Sequence, residues 1–353
     1  METLLADWPG EFVVVRRDQP TGTWIFIAIH SLTLGPAMGG CRMKTYPTPT
    51  DGLQDALRLA EGMTYKWASI DFQLGGGKSV LAVPRPLEGA EREGLFERYG
   101  DILESLGGIY ACGPDLGTTP DDMTVIGRRT KYVHGAARDG HGPLDPGPYT
   151  ALGVFQGIKA ALRHRFGSDT ISGRTVLVQG AGDVGYPLGV MLKEAGATVL
   201  VSDADAGRAE RLAKATGGRV VPNDKTYTTE CDVYAPCAVG ATLNADTIPL
   251  LRCAIVAGSA NNQLATDADA ARLHARGILY APDYVINAGG ANAIPLLGAG
   301  SHTPEQVREQ IRRYDAVLTE IFAEAKARNV SPLEGAKARA ERILTRSAPP
   351  PSS

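Results

Sequence analysis

No run of 18 apolar residues occurs in this 353-residue sequence, so no segment is expected to cross a bilayer as a helix. Basic residues are not in excess. The 36 Lys and Arg against 39 Asp and Glu leave a net charge of −3, which argues against nucleic acid as the main partner. The opening METLLADWPGEF has three acidic residues and no basic n-region, and is not expected to act as a secretory signal. Cysteines are few and odd in number: Cys41, Cys112, Cys231, Cys237 and Cys253 form no CxxC pair, which suits reduced thiols in a cytoplasm. The six histidines show no HExxH or similar spacing, so no metal is expected.

What is present is the composition of a globular α/β protein, 43% hydrophobic and 21% charged, long enough for two domains with cores of their own. EFVVVRR and TWIFIAIH read as a β-hairpin over DQPTG. Residues 50–70 read as a helix whose buried stripe is Leu53, Ala56, Leu57, Ala60, Met63, Thr64 and Trp67, with Lys66 at its edge. A strand at SVLAV, a helix at GAEREGLFERYGDILESL and a strand at IYAC follow. The Gly- and Pro-rich stretch 137–149 reads as a linker. After it come a second α/β unit, with strands at TVLVQ, TVLVS, CDVYAP, AIVAGS and GILYAP, then charged helices and a disordered tail over 347–353.

Two glycine-rich stretches carry the chemistry. DFQLGGGKSV ends like a phosphate loop, but the position that needs the opening glycine is Phe72, so that reading fails. Two readings stay open: a turn into a strand with Lys78 solvated, or glycines that bring the backbone close to a small ligand. The second stretch, Gly180-Ala181-Gly182-Asp183-Val184-Gly185, follows an apolar strand and opens a helix, and the next strand ends at Asp203. This is the dinucleotide fingerprint: Gly180 for the turn, Gly182 for approach of the pyrophosphate, Gly185 for helix–strand packing. An acid at Asp203 meets the adenosine ribose and repels a 2′-phosphate, so NAD is expected rather than NADP, with Arg208 near enough to blunt the preference. Lys66, Lys78 and Asp115 are the polar residues that stand out in the first half. Singly, Lys66 fits a snorkelling helix-end lysine and Asp115 a turn residue after Pro114.

LGPAMGGCRM, RLAEGMTYKWA, LGGGKSV, GPDLGTTPDDM, YAPCAVGATLN, AGSANNQL and APDYVINAGG, in this order and spacing, resemble the leucine, valine and phenylalanine dehydrogenase branch of the Glu/Leu/Phe/Val dehydrogenase family. The resemblance runs from about residue 30 to 295. It implies NAD-dependent, reversible oxidative deamination of an L-amino acid to its 2-oxo acid and ammonia. It implies an N-terminal α/β substrate and oligomerisation domain, residues 1–145, separated by a cleft from a C-terminal NAD-binding Rossmann domain, residues 146–330, with helices about 330–346 returning to the first domain and a homo-oligomer built through it.

The resemblance also assigns roles. Lys78 and Asp115 match the catalytic pair, and Lys66, Gly39, Gly40 and Asn261 match the substrate-binding positions. Thr150, Ala235, Pro236, Cys237, Ala238 and Asn262 match positions near the nicotinamide and its ribose, beside Gly180, Gly182, Asp183, Val184, Gly185 and Asp203. Cys41, Gly113, Ala291 and Ile294 match the walls of the side-chain pocket. Small residues at Gly113 and Ala291 point to a large, aromatic side chain, with a branched-chain substrate as the alternative. A base must take the proton of the water that attacks the iminium. Burial and the second cation Lys66 are expected to lower the pKa of Lys78 for that task. Relatives carry an acidic pair after NAGG. Here ANAIPLLGAGSH stands instead, and a helix is expected to begin differently, around Pro295. A 2-hydroxy-acid dehydrogenase would want a His–Asp or Arg–His arrangement that no motif displays, and a non-catalytic NAD-binding regulator would not need all of Lys66, Lys78 and Asp115.

Overall fold

The computed structural model of the chain describes residues 2–136, 145–298 and 300–347. Most of the expected linker, and the expected tail beyond Ser347, lie outside the described residues. The chain divides into two compact units, one of residues 1–144, 294–301 and 340–353, the other of residues 145–293 and 302–339. The segment 294–301, which the sequence left in the second domain, therefore belongs to the first unit.

The first unit runs α1 (Glu2–Ala6), β1 (Phe12–Asp18), β2 (Thr23–Ser31), β3 (Ala37–Lys44), α2 (Pro49–Ser69), β4 (Gly75–Ala82), α3 (Gly89–Ser105), β5 (Tyr110–Pro114) and α4 (Pro120–Gly127). Its sheet has the order β1-β2-β4-β3-β5. The hairpin pairs Phe12 with Ile29 and Asp18 with Thr23, and β2 pairs antiparallel with β4. The strand β3 lies parallel to both β4 and β5. Thr48 and Asp51 form a reciprocal capping box that starts α2, with Pro49 in its first turn.

The apolar stripe of α2 buries Leu53, Ala56, Leu57 and Ala60 on Phe26, Ala28, Val80 and Ala82 of the sheet. Met63, expected in that stripe, is only half-buried. On the other face Leu95, Phe96, Tyr99 and Leu103 of α3 join Ile25, Ile27, Ile29, Cys41 and Leu81. Covered on both faces, β4 is buried along its whole length. The strand starts at Gly75, so Lys78 lies in its interior and not at its end.

The second unit runs α5 (Gly147–Phe166), β6 (Thr175–Gln179), α6 (Gly185–Glu194), β7 (Thr198–Ser202), α7 (Ala206–Thr216), β8 (Arg219–Val220), β9 (Val233–Pro236), β10 (Ile255–Val256), α8 (Ala268–Ala275), β11 (Leu279–Tyr280), α9 (Asp283–Ile286), α10 (Ala288–Gly298), α11 (Pro304–Arg312), α12 (Tyr314–Arg328) and α13 (Pro332–Ser347). The last part of α10 and the end of α13 count with the first unit, where Ala340 packs on Leu34 and Ala68. All six strands are parallel, in the order β11-β10-β9-β6-β7-β8. This is the doubly wound order whose direction reverses between β6 and β9, and a ligand crevice forms at the carboxyl ends of such strands. The helix expected to begin around Pro295 instead begins at Ala288 and runs through that proline. Pro295 removes one N–H from the helical ladder, a loss this short helix accommodates.

Candidate functional site

The strands of the first unit bring Lys78 and Asp115 together. Lys78 is 4% exposed and donates through Nζ to Oδ2 of Asp115, which sits just past the end of β5. The other carboxylate oxygen, Oδ1, accepts from Arg42 Nε at 3.0 Å and from the Leu116 N–H at 2.6 Å. The Asp115 N–H is held by Thr118 Oγ1 at 2.9 Å. Burial alone would raise the Asp115 carboxyl, but Lys78 and Arg42 outweigh it and hold the group well below the usual carboxylate range. Sequence reasoning placed Lys78 and Asp115 in one site but did not single out Arg42, nor Asp55 and Tyr46 behind it. Arg42 lay in view within GGCRM. Lys66 stands half-buried in the last turn of α2, the helix that packs over β4.

The glycines around Lys78 have a packing reason. A Cβ on Gly75 would stand 2.2 Å from the Ser31 carbonyl oxygen, one on Gly76 2.0 Å from Thr64 Oγ1, and one on Gly77 2.8 Å from the Tyr110 ring. The chain itself therefore fills the space that the small-ligand reading of these glycines required. Gly39 meets the Gly77 carbonyl oxygen in the same way, at 1.9 Å. Gly40 is the one that serves the ion pair: a Cβ there would lie 2.7 Å from Asp115 Cβ and 2.8 Å from Lys78 Nζ.

Gly113 differs. A Cβ there would find only Ile294 Cγ2 at 3.6 Å and the His134 carbonyl oxygen at 3.8 Å, ordinary contact distances. Two of the expected pocket positions, Gly113 and Ile294, thus face each other, and Ala291 lies one turn before Ile294 on α10, half-buried. Cys41, the fourth, is a correction. It is fully buried in the core beneath α3, on the face opposite to Lys78 and Arg42, because neighbouring strand residues point to opposite sides. Burial pushes its thiol up to about 12, so it is an inert core residue.

In the second unit the expected nucleotide residues converge where the strand order reverses. Gly180 turns with φ +94°, and a Cβ on it would stand 2.8 Å from the Ala238 N–H nitrogen, so the Gly180 turn and the run Ala235, Pro236, Cys237, Ala238 meet. A Cβ on Gly185 would stand 1.8 Å from the Gly180 carbonyl oxygen, so helix and turn are in direct contact there. At Gly182 the nearest atom is Arg208 Nη1 at 4.0 Å, which leaves the backbone open. Asp183 is exposed and Val184 half-buried. Asp203 Oδ2 accepts from the Ala181 N–H at 2.6 Å, so the acid at the end of β7 also braces the glycine turn. An open glycine between two closed ones at a helix N-terminus, with a carboxylate beside it, fits a dinucleotide.

Thr150 Oγ1 donates to the Pro146 carbonyl at 3.1 Å in the first turn of α5, and Gly147 of that turn approaches the Asp183 carbonyl. Asn261 and Asn262 are exposed, and Asn262 takes φ +52°. Asn287, which sequence reasoning passed over within VINAGG, donates to Asn261 Oδ1 at 2.7 Å and to the Ser259 carbonyl at 3.1 Å. Among the described residues no cluster of His, Cys, Asp and Glu could hold a metal ion, and no helix is long and apolar enough to cross a membrane.

Residues 14–132 match the family model described as Glu/Leu/Phe/Val dehydrogenase, dimerisation domain, and residues 205–344 match Glutamate/Leucine/Phenylalanine/Valine dehydrogenase. The chain is 43% identical to the leucine dehydrogenase of Thermoactinomyces intermedius over 90% of its own length and 86% of the relative's. It is 40% identical to the phenylalanine dehydrogenase of the same organism over 92% and 89%. Its fold is similar to the crystal structure of L-tryptophan dehydrogenase from Nostoc punctiforme, with a TM-score of 0.87, 38% identity, and coverage of 98% of this chain and 99% of that one.

Proposed function

Because the chain belongs to the Glu/Leu/Phe/Val dehydrogenase family, oxidoreductases that act on the CH–NH2 group of amino acids, we propose that it catalyses NAD-dependent, reversible oxidative deamination of a large hydrophobic L-amino acid, aromatic ahead of branched. Amino acid, water and the oxidised dinucleotide give 2-oxo acid, ammonium, the reduced dinucleotide and a proton. The observation that carries this reading is the pair of buried Lys78 and half-buried Asp115, two groups able to move protons in one water-poor site.

The dinucleotide, held by Gly180, Gly182, Asp183, Val184, Gly185 and Asp203, supplies the hydride acceptor when bound. The chain's own part is binding and proton transfer. Lys66 takes the substrate carboxylate. Lys78 removes the proton of the water that adds to the substrate's imine carbon. Asp115 exchanges protons with the nitrogen, which leaves as ammonia.

Gly113 supports an aromatic preference. Packing makes Gly39 and Gly75 to Gly77 necessary, whereas the fold has room for a Cβ at Gly113. A glycine the fold does not require leaves its space to a substrate side chain. The slightly higher identity to a leucine dehydrogenase than to a phenylalanine dehydrogenase of one organism favours the branched alternative. The description of the first family model as a dimerisation domain supports a homo-oligomer built through the first unit. Formation of NADH from NAD⁺ with a panel of L-amino acids, followed by absorbance, tests the function. No turnover with any hydrophobic amino acid would overturn it.

A further inference from the structure

A row of alternating charges extends behind the Lys78–Asp115 pair. Arg42 on β3 spans two carboxylates: its Nε donates to Asp115 Oδ1 at 3.0 Å and its Nη1 to Asp55 Oδ2 at 2.9 Å. Asp55, on α2, also accepts from Tyr46 OH at 2.7 Å and from Arg58 Nη2 at 2.9 Å. The side chains of Arg42 and Asp55 are 18% and 15% exposed, so little water competes for these bonds, while Arg58 at 56% is on the rim.

We propose that Arg42, anchored by Asp55, is a positioning residue that ties one carboxylate oxygen of Asp115 so that the other is presented to Lys78. The proposal rests on the reading that Lys78 and Asp115 carry the proton chemistry. Its geometry is one-sided. Oδ1 takes both the guanidinium and the Leu116 N–H, and Oδ2 takes Lys78. A carboxylate without the guanidinium can rotate about its last bond and exchange its oxygens. Asp55 removes the same freedom from Arg42, because a guanidinium gripped at Nη1 aims Nε in one direction. Tyr46 and Arg58 in turn hold Asp55.

Charge acts the same way. Among the described residues, the charged groups bonded to Asp115 are Lys78 from β4 and Arg42 from β3, with Asp55 and Arg58 of α2 and Tyr46 behind Arg42, and the buried Cys41 thiol of β3 feels the Asp115 charge. Removing Arg42 takes away one of the two cations that hold the Asp115 carboxyl low, so that carboxyl titrates at higher pH.

A merely structural tie between α2 and the sheet would change stability and little else. The test is steady-state kinetics of the full chain with NAD⁺ and L-phenylalanine or L-leucine, for Arg42→Met, Arg42→Lys and Asp55→Asn, each also combined with Asp115→Asn. Arg42→Met is expected to lower kcat about 100-fold, the order of loss that a displaced group causes, and to leave KM for NAD⁺ within about twofold. Arg42→Lys should recover only part of the loss, since an ammonium cannot span both carboxylates. Asp55→Asn should give a smaller loss of the same kind, and it replaces Arg42→Met as the reporter should that variant not fold. The acidic limb of the kcat profile should move to higher pH in Arg42→Met. In the Asp115→Asn background each change should cost less than about twofold further, as for residues that act as one unit. Costs that multiply while Asp115→Asn is itself impaired would overturn the positioning role alone. Wild-type kcat in Asp115→Asn would overturn the underlying reading and the proposal with it.

Discussion

Thr64 Oγ1 lies 2.0 Å from the point where a Cβ on Gly76 would stand, and the Thr64 backbone nitrogen and Cα lie 2.3 and 2.6 Å from it. Helix α2 and strand β4 touch there through backbone, next to the strand position that carries Lys78. Gly76→Ala is therefore expected to destabilise the protein by about 1–3 kcal/mol or more, as overpacking does. Thr64→Ala should rescue little, because it removes only the first of the three contacts. Thermal unfolding of the two single variants and the double variant measures this. Full rescue by Thr64→Ala would show that the side chain alone sets the spacing.

Lys78→Ala is expected to reduce turnover by about 100-fold or more, the usual worth of general acid–base catalysis. NADH binding, followed by its fluorescence, should stay nearly unchanged, since the proposed dinucleotide residues belong to the other unit. Activity within about tenfold of the parent, roughly 1.4 kcal/mol of barrier, would remove Lys78 from the proton chemistry.

The cofactor choice turns on Asp203. NAD⁺ should have the higher kcat/KM, because the carboxylate meets the 2′-phosphate of NADP⁺ with like charge. Asp203→Asn keeps an oxygen for the Ala181 N–H and removes the charge, so it should narrow the gap without dismantling the turn. Arg208, whose Nη1 comes within 4.0 Å of a Cβ position on Gly182, softens the preference. Equal kcat/KM for the two cofactors in the unmodified protein would refute the assignment.

A kinetic panel of phenylalanine, tryptophan, leucine, valine and glutamate tests the pocket. An aromatic substrate should lead valine in kcat/KM, and glutamate should be rejected, since Gly113, Ala291 and Ile294 offer its carboxylate no cation. Gly113→Ala should fold normally, given its 3.6 Å clearance, and shift preference toward leucine and valine by about 10-fold, the scale of one methylene in an apolar pocket. Valine or leucine clearly ahead of both aromatics in the parent would overturn the aromatic preference.

The second unit was legible because its signals are local. Strand, glycine turn, helix, strand and acid follow one another within about 30 residues, the length of one βαβ unit. The first unit hid more. Strand β3 reads AMGGCRMK, and two adjacent glycines argue against a strand on propensity. What puts them there is close approach by Gly77 and Lys78 of β4 on one side and by Asp115 beyond β5 on the other, which only tertiary structure reveals. Arg42 and Asp55 escaped for the same reason: one is on a strand and the other on a helix, and no periodicity links them. Helix α4 could have been found, since Thr119, Pro120 and Asp122 spell a capping box. Cys41 was misread because motif position gives no sidedness. The strand's alternation does, once its bounds are known.

The buried strand β4 also restricts how the length of this chain can change. Each of its three glycines is matched to a different neighbour, and one residue gained or lost between Gly75 and Lys78 would set every mismatch at once. Either change would also turn Lys78 to the α3 side of the sheet, with Ser79 taking its place after a loss and the residue before Lys78 taking it after a gain, since side chains alternate. Insertions and deletions compatible with activity should therefore collect in the connections outside β4, and a library of single-residue indels would leave the segment from Gly75 to Ala82 as a gap in the map of survivors.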